Sequence, residues 1–88
     1  MQTWYVYIIA TERSHYYAGI TTDLARRFQE HCDTHEGRTG AKGAKFFRLQ
    51  KPVAIVYSRS FGSRAEASRH EREIKSLSRA KKEMLLSL

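Results

Sequence analysis

Two short aromatic triplets constrain this chain more than any other feature: Tyr5-Val6-Tyr7 and Tyr17-Ala18-Gly19. Each sits in a stretch rich in β-branched and aromatic residues with no helix cap, so 4–10 and 15–20 are predicted as strands. The polar segment Thr11-Glu12-Arg13-Ser14 reads as the turn of an antiparallel hairpin. Alternation then puts Tyr5 and Tyr7 on one face of the first strand, and His15, Tyr17 and Gly19 on one face of the second. Loop parity decides whether the two faces coincide. An odd loop brings Tyr7 and Tyr17 to the same side. The four-residue loop expected here sets Tyr7 opposite Ala18 and splits the tyrosines, unless a bulge intervenes.

The hairpin runs directly into a helix. Thr21 or Thr22 can cap it and Asp23 suits its positive end, which predicts a helix over 23–35 stopped by Gly37. Leu24 and Phe28 form its apolar stripe, and Arg27 and His31 lie one turn apart on the same side. A loop with Gly37, Gly40 and Gly43 follows, with a short helical turn over 41–47. Pro52 opens a third strand over 53–58, where a first-position proline is tolerated. Ser63 and Glu66 match a capping box for a helix to about Leu77, and Ser78 caps a last helix ending in Met84, Leu85 and Leu88. The expected fold is α+β: a three-stranded antiparallel sheet flanked by helices, in the order β-β-α-β-α-α.

Size and charge limit the function. At 88 residues the chain is expected to be a single domain over 1–88. No apolar run approaches the roughly 20 residues of a membrane helix, and the first residues lack the pattern of a secretory signal. The lone Cys32 points to a reducing, cytoplasmic setting. A net charge of +7 favours a polyanionic partner. That charge concentrates in Arg38, Lys42, Lys45, Arg48 and Lys51, a run without an acid in which Phe46 and Phe47 can stack or anchor. A phosphate-contacting surface is the preferred reading of this run over a loop that only aids solubility.

Two clusters carry possible chemistry. Ala67, Glu71, Ile74 and Ser78 fall on one helical stripe, so a carboxylate interrupts a partly apolar face. Such a group needs a cation, either Lys75 four residues on or a metal ion. His31, Cys32 and His35 form a second cluster on one helix. A zinc site would need a fourth ligand that nothing in the chain identifies, so an amphipathic helix end with a half-buried cysteine is the simpler account.

Taken together, Tyr5-Val6-Tyr7, the run from Tyr17 to Leu24, Arg26-Arg27 and Glu71 followed by Ile74-Lys75 resemble the GIY-YIG nuclease-type domains, in their small stand-alone bacterial form. The resemblance spans the chain from Trp4 to the last helix. It implies hydrolysis of DNA phosphodiesters with one divalent cation, Mg2+ or Mn2+. It also implies Tyr7, Tyr17, Arg27, His31 and Glu71 as the catalytic set, with Glu71 as the metal ligand. Tyr7 or His31 would then relieve the attacking water of its proton, and Arg27 would offset phosphoryl charge. The chain departs from the pattern where Tyr5 replaces a glycine and Ala18 an isoleucine. Ile20 stands where the repair nuclease of the family has a lysine, and that enzyme's late asparagine has no clear match.

The function expected is therefore a metal-dependent endonuclease acting on DNA structure or damage. Arg26, Arg38, Lys42, Lys45 and Arg48 are expected to contact the nucleic acid, with RNA as the other polymer to consider. The alternative is a nucleic-acid-binding accessory module on the same fold with a slow or silent catalytic surface. A monomer or weak homodimer is expected, with no membrane association.

Overall fold

The computed structural model describes residues 2–87. Strand β1 (Trp4–Thr11) lies at the centre of a three-stranded sheet, between β2 (Tyr16–Thr21) and β3 (Pro52–Phe61), both antiparallel to it. Helix α1 (Leu24–Glu36) follows the hairpin, a 3-10 turn (Lys45–Arg48) precedes β3, and α2 (Arg64–Lys75) and α3 (Arg79–Leu86) close the order β-β-α-β-α-α. This is the expected architecture.

The central strand is covered on both faces, which explains its nearly unbroken apolar run. Val6 and Ile8 point to one layer, with Ala18, Ala67 and Ile74 buried there and Leu85 and Leu86 of α3 packed against them. Tyr7 and Ile9 point to the other, with Phe47 buried and Leu24, Phe28 and Ile55 around them. Burying each of Val6, Ile8, Ile9 and Ile74 stabilises the fold by roughly 1.5–3 kcal/mol. Met84 stays exposed, so the last helix packs through Leu85 and Leu86 instead. Leu88 lies outside the described residues.

The hairpin register differs from the four-residue-loop expectation. Ala10 pairs with Tyr16, and Thr11 N–H donates to the His15 carbonyl at 2.9 Å, so the loop between the last paired residues is odd. Ser14, at φ 62, makes the reversal. Tyr7 therefore faces Gly19 and Tyr17 faces Ile9, diagonal neighbours on one side of the sheet.

Other boundaries shift for local reasons. Asp23 is the N-cap of α1, its side chain accepting from Arg26 N–H at 3.0 Å, while Thr21 Oγ1 accepts from Asp23 N–H at 3.1 Å. The threonine thus orients the cap rather than being it. Gly37 ends α1 in the left-handed region at φ 73, as expected of a C-terminal glycine. Strand β3 outruns its predicted end because pairing with β1 continues as far as Trp4 and Phe61.

Candidate active site

Tyr7, Tyr17, Arg27 and His31 converge on the α1 face of the sheet. Tyr7 and His31 are only 2% and 0% exposed, and Tyr7 Oη lies 2.9 Å from His31 Nε2. The Tyr17 ring centroid is 6.5 Å from that of Tyr7 and 5.5 Å from that of His31. Phe47 closes the base of the group, its ring 4.3 Å from the imidazole. Two glycines allow this closeness. A Cβ on Gly19 would run into the Tyr7 hydroxyl and lie 2.6 Å from Cζ, so the hydroxyl end of the ring sits against bare backbone. A Cβ on Gly43 would lie 2.7 Å from His31 Cα, so the basic loop can seat directly on α1.

That seating determines the state of His31. Ala44 N–H donates to His31 Nδ1 at 3.1 Å, while Gly43 N–H donates to Thr34 Oγ1 at 2.8 Å. A backbone N–H can only donate, so Nδ1 holds a lone pair and the neutral ring carries its proton on Nε2. Nε2–H then donates to Tyr7 Oη. Burial, with Arg27 nearby, lowers the His31 pKa to about 4. Burial likewise pushes the Tyr7 phenol up to about 12; Arg27 pulls against this, while Tyr17 and Glu71 add to it.

Arg27 is clamped at the rim. Its Nη1 donates to Glu30 Oε1 at 3.0 Å and to the Lys42 carbonyl at 2.8 Å, and its side chain remains 26% exposed. The guanidinium also interacts with the Tyr7 hydroxyl, and its exposed part is open to a ligand.

Glu71 comes from the opposite layer, on α2, and its charge is felt at Tyr7. Its Oε2 lies 3.3 Å from Lys75 Nζ, the ion pair anticipated from the four-residue spacing. The same ammonium stands 5.9 Å from the Tyr17 ring centroid, joining Glu71 to the tyrosine cluster. A divalent cation fits this donor set. The carboxylate is a hard oxygen ligand, only 20% exposed, and already has a cation stationed against it.

The other sequence candidates are distributed around this group. Arg26 is exposed on α1, and Lys45 and Arg48 are exposed on the 3-10 turn. Arg38 and Arg48 flank a groove of about 430 Å³ beside Gly43. Arg38 is less free than the run suggested, since it pairs with Glu36 at 2.8 Å and Asp33 at 3.4 Å. Lys42 contributes its carbonyl to Arg27.

The zinc alternative does not survive. Both nitrogens of His31 are engaged, His35 Nδ1 donates to the Phe47 carbonyl at 3.2 Å, and burial followed by Glu36 and Asp33 raises the Cys32 thiol pKa. Among the described residues no three His, Cys, Asp or Glu side chains gather to hold a metal.

Ala44 and Gly43 were invisible as site residues in the sequence, because they act through backbone groups. Only the glycine spacing of the loop hinted at a close approach. Lys75 was visible as a partner of Glu71 but not as a neighbour of Tyr17.

A buried phenol, an imidazole, a clamped guanidinium and a carboxylate on the neighbouring helix are thus carried by a three-stranded α+β domain. The GIY-YIG catalytic domain family matches residues 3–84, and the chain belongs to that family. Its relatives include a UPF0213 protein of Cronobacter sakazakii, 40% identical over 99% of this chain and 84% of that one. A UPF0213 protein of Halobacterium salinarum is 43% identical over 92% of this chain and 96% of its own. The solution NMR structure of a UPF0213 protein from Bacillus halodurans aligns with a TM-score of 0.56 at 36% identity, covering 97% of this chain and 83% of that one. The domain is thus of a nuclease family whose members generally use divalent metals. Among the described residues no helix is long and apolar enough to cross a membrane.

Proposed function

We propose that this chain is a divalent-metal-dependent endonuclease that hydrolyses DNA phosphodiester bonds at a structural or damaged feature. The observation that carries the reading is the Ala44–His31–Tyr7 hydrogen-bond chain, ending on a phenol beside Arg27 and Tyr17. In this scheme Tyr7, as phenolate, takes the proton of the attacking water. His31 has no lone pair left for that task. It is a positioning residue whose Nε2–H holds Tyr7 Oη and favours its ionised form. With the Tyr7 pKa near 12, only about 1 in 10⁵ molecules is ionised at pH 7, so the phenolate needs further cationic support.

Arg27 directs its free donors at the phosphoryl oxygens as charge builds there. Tyr17 orients the phosphate or the water. Glu71 would hold Mg2+ or Mn2+, with water and substrate oxygens completing the shell. Such an ion supplies charge neutralisation at the phosphate and at the leaving oxygen.

The Glu71–Lys75 pair favours a second reading, a nucleic-acid-binding module in which lysine permanently takes the cation position. A labelled panel of branched, flapped and nicked DNA separates the two, with Mg2+ or Mn2+ against chelator. Metal-dependent products that vanish in Glu71→Ala, with binding retained, support the nuclease. Binding without products in either metal rejects it.

A further inference from the structure

We propose that the edge of β2 next to Tyr17 is a subsite for an unpaired nucleotide, so that the DNA acted on carries a single-stranded segment at the scissile phosphate. This deepens the nuclease reading and rests on it for the position of that phosphate. Among the described residues no strand pairs with β2 on its outer side. Two clefts adjoin there, of about 160 and 290 Å³, sharing Tyr16, Phe46 and Lys82 in their walls. The smaller has Ile8, Ala18 and Ile74 among its lining residues and is bounded by Tyr17 and Lys75. The larger adds His15 and Arg79.

The chemistry of these walls is specific. Phe46 is half-buried, 5.3 Å from the Tyr17 ring and edge-on to Phe47 at 5.1 Å, so it is held in place while still lining the clefts. The Arg79 guanidinium lies 5.3 Å from the Tyr16 ring centroid. Lys82 takes part in no ion pair among the described residues, and no acidic residue lines either cleft. Aromatic walls over an apolar floor, with cations at the rim, suit a base that stacks while its flanking phosphates meet ammonium and guanidinium groups. A paired base offers no free face to such a cleft, which selects unpaired nucleotides over duplex. The shared Tyr17 and Lys75 make the subsite continuous with the candidate active site.

Anisotropy of labelled oligonucleotides in the presence of chelator tests this without any cleavage. A short thymidine oligomer is expected to bind at least about tenfold more tightly than a blunt hairpin of equal charge, since each stacked base contributes substantially. Phe46→Ala should lose about tenfold on the oligomer and almost nothing on the same oligomer with abasic sites. A merely structural role for Phe46 would weaken both alike. Lys82→Glu, on the rim, should weaken the single strand several-fold, and it keeps the question open to test if Phe46→Ala fails to fold. Equal binding of single strand and hairpin, or unchanged binding by both variants, overturns the subsite. A protein that never cleaves yet shows the Phe46 and Lys82 losses keeps the subsite and rejects the nuclease. One that cleaves but ignores both substitutions does the reverse.

Discussion

Among the described residues two tyrosine–histidine pairs lie on opposite faces of the sheet, and only one of them has its direction fixed by a neighbour. Tyr7 and His31 meet at 2.9 Å on the α1 side, and Tyr57 and His70 meet at 2.8 Å on the α2 side. The difference lies in what stands behind each imidazole. Behind His31 is the Ala44 N–H, a pure donor, which sends the ring proton to Nε2 and makes Tyr7 Oη the acceptor. Behind His70 no backbone N–H stands: its Nδ1 has only the exposed Glu73 carboxylate at 3.6 Å, beyond hydrogen-bond reach, so nothing there fixes the direction of the Tyr57–His70 bond. The first arrangement makes the phenol oxygen an acceptor and leaves its own proton unclaimed by the histidine. The second has no such donor behind its ring. The same two side chains thus give a candidate base in one layer and a structural clasp in the other.

The largest test of this contrast is paired removal of the hydroxyls. Tyr7→Phe should lower cleavage of a susceptible DNA by about 10²–10⁴-fold, the usual worth of a general base, while Tyr57→Phe stays within about twofold. Equal losses would erase the functional distinction between the pairs.

Stability against pH sharpens it next. The folded His31 pKa of about 4 lies below its ordinary 6.5, so between those values the unfolded chain binds a proton that the folded chain refuses. The stabilisation is complete above about pH 6.5 and is lost as pH falls towards 4, by about 3 kcal/mol at most. Denaturant midpoints measured at pH 7 and pH 4.5 should converge in His31→Gln, which keeps an N–H donor without a titrating ring.

Backbone access comes third. Gly19→Ala should destabilise by roughly 1–3 kcal/mol, because the new Cβ meets the locked Tyr7 ring. Gly62→Ala, with nothing within 4 Å of its Cβ, should leave the melting temperature nearly unchanged. The smallest expected effect is at the Glu71 carboxylate. Its partner Lys75 is 53% exposed, so Lys75→Met should tighten Mn2+ binding, read by titration calorimetry, by no more than about fivefold. Weaker binding in that variant would mean that the ammonium helps to hold the ion's ligands rather than standing in for the ion.

Much of this was readable along the chain because it depends on local chemistry. Caps at Ser63 and Ser78, the left-handed stop at Gly37 and the β composition around both triplets mark elements without reference to distant residues. The convergence of Tyr7 with Tyr17 was not readable. It turns on one residue of loop parity, decided by the Thr11–His15 bond and the positive φ of Ser14. The basic run was visible as charge, but its division of labour was not. Phe47 goes to the core, Phe46 to a cleft, and Arg38 to neighbouring acids.

By itself, then, the sequence determined the element order, the apolar central strand and the identities of the groups available for phosphate chemistry, since each follows from short-range propensity and spacing. Only the tertiary structure decided which way the proton points. The direction of the Tyr7–His31 bond depends on a backbone N–H thirteen residues from His31, brought there by a glycine that lets the loop touch α1. No side-chain pattern encodes that contact. Hydrogen-bond polarity is a property of neighbours in space, and those exist only once both layers have closed on the sheet.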